Sequence, residues 1–193
     1  LASRMAHGFF NNIAKRCDYI LDLHTGAIHR TNLPQIRANL SNPETLRIAQ
    51  AFATPVIVDS ALRDGSLRSE AEKCDIPVLT YEAGEALRFD PLSISAGVLG
   101  VRRVMQAIGM LRASRKKLPE PIIAKSTSWV RASGNGILRT VVNLVDKVEQ
   151  GETLAYISSP LGHDEVELKA PKRGLVIGQQ TLPLVNEGDA IFH

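Results

Sequence analysis

The chain has 193 residues, 44% of them hydrophobic and 22% charged, with a formal net charge of +3 and a pI near 9.0. This is ordinary globular composition, enough for one large or two small domains; the thin, scattered cationic excess argues against a nucleic-acid partner, and no apolar run reaches the ~20 residues of a membrane span. Only Cys17 and Cys74 are present, not in a CxxC, and no signal peptide is visible, so a reducing, cytoplasmic setting is expected.

The sequence opens at Leu1 in what reads as the interior of a protein, and an N-terminal portion is expected to precede it. Met5, Phe9, Ile13 and Cys17 recur at i, i+4 and predict a helix over 5–16. Tyr19 to His24 reads as a buried strand. The stretch 24–44, with Gly26, Pro34 and Pro43 and no steady period, reads as a long polar loop of the kind that carries function. Asn42-Pro43 starts a helix running to about Phe52. Residues 55–59 (PVIVD) form a short strand, 66–73 a helix and 76–84 (IPVLTYEAG) a second strand-to-glycine unit. Residues 93–111 predict an apolar helix with Ile94, Val98, Val101, Met105, Ile108 and Leu111 on one face. The alternation predicts an α/β domain over 1–117 with a mostly parallel sheet flanked by helices.

The style changes at Leu118. A proline-bearing linker leads into short apolar segments broken by Gly, Asn and Asp, which predict a small all-β domain over 118–193. The segments 133–157 and 170–193 resemble one another, each with a glycine, a short apolar strand and a Val/Glu/Gly turn, so a pseudo-symmetric sandwich is expected. Arg112–Lys117 (RASRKK) has no interleaved aromatics and reads as a solvated helix end.

Asp22 and His24 lie two apart on a strand and share a face. They sit at its carboxyl end, where open parallel sheets place their sites. The pair suits a metal-bound imidazole with a carboxylate behind it, or a structural histidine beside an acid. Glu82 is a strand-end acid in position to act as a general base, or one turned to solvent. Arg68, with Arg63 as its competitor, is suited to holding the charge of a tetrahedral intermediate. Arg30, Asn32 and Arg37 follow His24 and are suited to gripping a substrate carboxylate.

The ordered set D-L-H-T-G (22–26), an Arg-bearing stretch, L-R-S (67–69), I-P-x-L-x-x-E-x-G (76–84) and the β-rich tail resembles the succinylglutamate desuccinylase/aspartoacylase family, the acylase branch of the zinc carboxypeptidase-like fold, over about residues 5–193. The resemblance implies Zn2+ as cofactor and His24 as a zinc ligand with Asp22 behind it. It implies Glu82 as the general base and Arg68 as the oxyanion partner, with Arg30 and Asn32 toward the substrate. The implied reaction is hydrolysis of the amide bond of a small anionic N-acyl amino acid. The family's H-x-x-E, which supplies the other zinc ligands, occurs nowhere in the chain: none of the five histidines has a glutamate three residues on. One imidazole is not a zinc site. The chain as given is therefore expected to bind zinc poorly and to be inactive, and to expose a sheet edge through which copies self-associate into a homo-oligomer. The alternatives are a non-catalytic homologue or a carrier module. The duplicated tail is similar to biotinyl/lipoyl domains, but the tip between its halves, SSPLGHDEV, has no lysine, and Lys169 falls several residues later.

Overall fold

A computed structural model describes residues 1–193, in which the chain forms two compact units. The first comprises Leu1–His24, Pro34–Glu82 and Pro91–Ser126; the second comprises Thr25–Leu33, Ala83–Asp90 and Thr127–His193. Residues 118–126, grouped by the sequence with the tail, run with the first unit because a short strand within them pairs there.

The first unit holds helices α1 (Ala2–Asn12), α2 (Pro43–Phe52), α3 (Leu67–Glu72) and α4 (Pro91–Ala107). Its strands are β1 (Ile20–His24), the later part of β2 (Arg30–Ala38), β3 (Val56–Asp59), β4 (Val78–Gly84) and β5 (Ile122–Ala124). β1, β4 and β2 are successive neighbours, and β3 lies between β2 and β5. The pairs β1–β4, β2–β3 and β3–β5 are parallel. Val56, Ile57 and Val58 are all buried, the continuous apolar run of a strand covered on both faces. The helices start on sequence-encoded caps. The Asn42 side chain accepts from the N–H groups of Glu44 and Thr45 ahead of Pro43, and Ser66 accepts from Ser69 N–H.

Three expectations are corrected. The stretch 24–44 is not a long loop: its centre is the nine-residue strand β2. β2 is buried along most of its length, so it shows no polar alternation, and Pro34 makes it read as a non-strand. The helix expected over 5–16 forms as α1 over Ala2–Asn12 and stops before Ile13; Met5 and Phe9 on it are exposed, and none of its residues is buried. On α4 the buried residues are Gly97, Gly100 and Val104, whereas Ile94 and Val98 are exposed. α4 presents its smallest side chains to the core because the rings of Phe52 and Tyr81, stacked at 5.1 Å, occupy the space a Cβ would need.

The second unit is all β. It contains β6 (Val130–Arg131), β7 (Gly136–Thr140), β8 (Lys147–Val148), β9 (Thr153–Ser158), β10 (Val166–Lys169), β11 (Gly174–Leu175), β12 (Gly178–Gln180), β13 (Leu184–Val185) and β14 (Ala190–Phe192). A four-stranded sheet runs β10-β9-β7-β13, and β11 pairs with β8. β12 pairs antiparallel with β14 and with residues 30–32 of β2, and β14 with β6. Strand pairing in the chain is thus mixed, not mostly parallel, because strands from the tail join antiparallel where the sequence offered only βα alternation to read.

The internal repeat is visible in the pairing. β7 of the first half pairs with β13 of the second, and β8 with β11. The matching turns Val148-Glu149-Gln150-Gly151 and Val185-Asn186-Glu187-Gly188 each bury the valine and place the glycine at φ +84° or +87°. That left-handed conformation favours glycine. Both halves supply the core, which includes Leu138, Val148, Leu154, Ile157, Val185, Ile191 and Phe192.

In the first unit, Tyr19 Oη donates to Glu44 Oε1 at 2.7 Å, and Arg47 Nη2 reaches the same oxygen at 2.6 Å. The Arg47 guanidinium, then the Tyr19 hydroxyl, hold the Glu44 carboxyl at about 2, below its ordinary 4.5. Its folded-state value is the depressed one. The stabilisation is therefore complete above about pH 4.5 and is lost as the pH falls toward 2. Urea unfolding at pH 7 and pH 3 should show Glu44→Gln less stable than the parent at pH 7, with the gap narrowing at pH 3. An equal gap at both would remove the carboxylate from this role.

Candidate active site

β1 and β4 run parallel with His24 opposite Glu82 and Asp22 opposite Thr80. Register partners on adjacent strands project to the same face, so the imidazole and the Glu82 carboxylate stand side by side at the carboxyl ends of neighbouring strands. Asp22 Oδ2 lies 2.8 Å from His24 Nε2. The carboxylate thereby fixes the ring and leaves Nδ1 as the nitrogen free to accept a proton or a cation.

Glu82 is held from its other neighbour. Arg37, on β2, brings Nε to 3.0 Å from Glu82 Oε2, both side chains about four-fifths buried. From the sequence alone Arg37 is one of several residues suited to gripping a substrate carboxylate. Its partner is 45 positions away and becomes evident only once β2 is known to be a strand beside β4.

Arg68 lies in the first turn of α3. It donates from Nη1 to Ser60 O at 3.0 Å and from Nη2 to Ser60 Oγ at 3.2 Å, so the segment after β3 fixes the guanidinium. Burial lowers its pKa, the positive charges of Arg37 and Arg63 lower it further, and Glu82 opposes them. Arg68 thus feels the cations of Arg37 and Arg63 and the carboxylate of Glu82, which is paired with Arg37. The local field is positive and suited to a bound or developing negative charge.

Arg30 and Asn32 belong to the second unit. Arg30 lies over the Trp129 ring at 5.2 Å, and Trp129 stacks on His193 at 4.3 Å. Asn32 is buried with its Oδ1 against Gly178. The structure thus gathers Asp22, His24, Arg37, Arg68 and Glu82 in the first unit and gives Arg30 and Asn32 packing contacts in the second. The two glycines of the motifs have a common cause. Gly26 N–H donates to Gly84 O at 3.0 Å, and a side chain on Gly26 would run into the carbonyl oxygens of Arg30 and Gly84.

These residues do not by themselves fit a zinc ion: no three His, Cys, Asp or Glu side chains converge to hold a metal. Lys169 lies on β10, paired to Glu167 at 2.8 Å, not at a hairpin tip. No helix is long and apolar enough to cross a membrane.

The sequence profile of the Succinylglutamate desuccinylase/Aspartoacylase catalytic domain matches residues 1–108. Among solved structures, the ectoine utilization protein EutE (DoeB) from Ruegeria pomeroyi is 22% identical, with a TM-score of 0.88 over 100% of this chain and 64% of that one. A succinylglutamate desuccinylase/aspartoacylase from Rhodobacter sphaeroides is 21% identical, with a TM-score of 0.82 over 98% and 61%. A succinylglutamate desuccinylase from a Silicibacter species is 18% identical, with a TM-score of 0.87 over 100% and 62%. At these identities the likeness speaks for the mixed α/β fold alone, and the chain spans less than two thirds of the length of each. No curated protein matches it.

Proposed function

The chain belongs to the succinylglutamate desuccinylase/aspartoacylase family, and on that premise we propose that it carries the general-base half of a zinc-dependent deacylase acting on the amide bond of a small anionic N-acyl amino acid. The single observation that supports this most is the register that sets His24 beside Glu82 on one face. In this reading Glu82 accepts the proton of an attacking water. The water oxygen bonds to the amide carbon, and the proton then passes from Glu82 to the leaving nitrogen as the C–N bond breaks. Arg37 holds the carboxylate in place through Oε2. Arg68, with donors beyond those given to Ser60, faces the developing oxyanion or a substrate carboxylate. His24, steadied by Asp22, is the one imidazole this chain offers to zinc, and the other ligands are not among these residues. The two free thiols suit a cytoplasmic setting.

The test uses the full-length protein on a panel of N-acyl amino acids. Chelation should abolish hydrolysis and zinc should restore it, with His24→Ala lowering zinc content. Hydrolysis indifferent to chelation, or absent across the panel in zinc-replete protein, would sink the reading.

A further inference from the structure

A cavity of about 440 Å3 lies in the first unit between the carboxyl ends of α2 and α4 and the segment 113–118. It shares no residue with the cluster around Glu82. Its lining carries the cations of Arg102, Arg103 and Lys116 and no acidic side chain. None of the three takes part in any of the chain's ion pairs.

The carboxyl ends of α2 and α4 carry partial negative charge, and an arginine already meets each of them. Arg47 Nη1 donates to Ala107 O at 3.0 Å, and Arg103 Nη1 donates to Phe52 O at 3.4 Å. The carbonyl at the end of each helix is thus already engaged, and Arg103 retains the rest of its five-donor fork. The floor is aliphatic, with Ala51, Leu99 and Leu118 and no aromatic ring. The aliphatic lining suits a short alkyl chain.

We propose that this cavity is a binding site for a small dianion with a short aliphatic body, a dicarboxylate or an alkyl phosphomonoester. Confining like charges around a concavity is unfavourable, and a dianion bridging them converts that repulsion into charge-assisted hydrogen bonds. Of the basic run Arg112–Lys117, Ala113, Ser114 and Lys116 enter the lining. The proposal does not depend on the deacylase reading.

The test is calorimetric titration of the full chain with glutarate and with glycerol 3-phosphate, alongside sedimentation with phosphatidylglycerol vesicles. Saturable binding of either soluble dianion is expected, weakening as salt rises. The pair Arg102→Gln/Lys116→Gln should weaken it by roughly tenfold or more, the scale of one or two charge-assisted hydrogen bonds. Arg68→Met should leave it unchanged, which separates this cavity from the Glu82 cluster. Circular dichroism matching the parent shows that the paired variant is folded. No saturation, equal affinity in the paired variant, loss on Arg68→Met instead, or binding to vesicles alone would each overturn the proposal.

Discussion

Glu82→Gln is expected to lower kcat of the full-length protein by about 10²–10⁴-fold, the contribution of a positioned general base, with zinc content and fold retained. The amide keeps an oxygen that can accept from Arg37, so the geometry of the 3.0 Å contact has a neutral substitute. What the amide cannot do is take a proton from water and return it. A competing explanation is that Glu82 serves only as the counter-ion of Arg37 in a largely buried pair. That explanation predicts the opposite pattern, with lowered stability toward urea and turnover per folded molecule intact. Measuring kcat and the unfolding midpoint on the same preparation separates the two. Unimpaired turnover removes Glu82 from the chemistry whatever happens to stability. Glu82→Asp adds a graded check, because its carboxylate is one methylene short of both Arg37 and the water, and its kcat should fall between those of the parent and Gln.

The sequence was most informative where a local rule sufficed. Asn42-Pro43 and Ser66 cap their helices as their residue types require, and D-L-H and Y-E-A-G stand at the carboxyl ends of strands that pair with one another. Reading failed where the deciding fact was long-range. β2 is buried on both faces and interrupted by Pro34, so it carries neither the alternation nor the composition by which a strand announces itself. With β2 unread, Arg37 could not be placed beside Glu82. The sheet was read as mostly parallel because helices alternate with strands up to residue 111. The antiparallel members come from β12, β14 and β6, whose partners cannot be read from two- or three-residue segments. The apolar face assigned to α4 was wrong for a different reason. Hydrophobic periodicity identifies the most apolar stripe, but a helix that must approach two aromatic rings closely buries its smallest residues.

That close approach yields the largest stability effect expected. Phe52 is 1% exposed, stacks on Tyr81 and fills the space above Gly100, where an added methyl group would overlap its ring. Gly100→Ala gains helix propensity worth up to about 1 kcal/mol. It then forces either the ring or the helix to move, at about 1–3 kcal/mol, so a net loss is expected. Phe52→Ala should lose about 3–5 kcal/mol from the void it leaves, a large part of a typical domain's 5–15 kcal/mol. The two sites touch and should not be additive. In a Phe52→Leu background, which removes the ring edge, Gly100→Ala should become neutral or stabilising, as urea midpoints of the four proteins would show. A constant cost for Gly100→Ala in both backgrounds would mean that the ring is not what excludes the methyl group. The same cycle bears on the candidate active site. Tyr81, the other half of the stack, donates its hydroxyl to Ser93 O at 2.7 Å and immediately precedes Glu82. A shift of α4 that tilts Tyr81 is therefore expected to lower kcat along with stability, whereas Phe52→Leu/Gly100→Ala, with the helix seated again, should recover both.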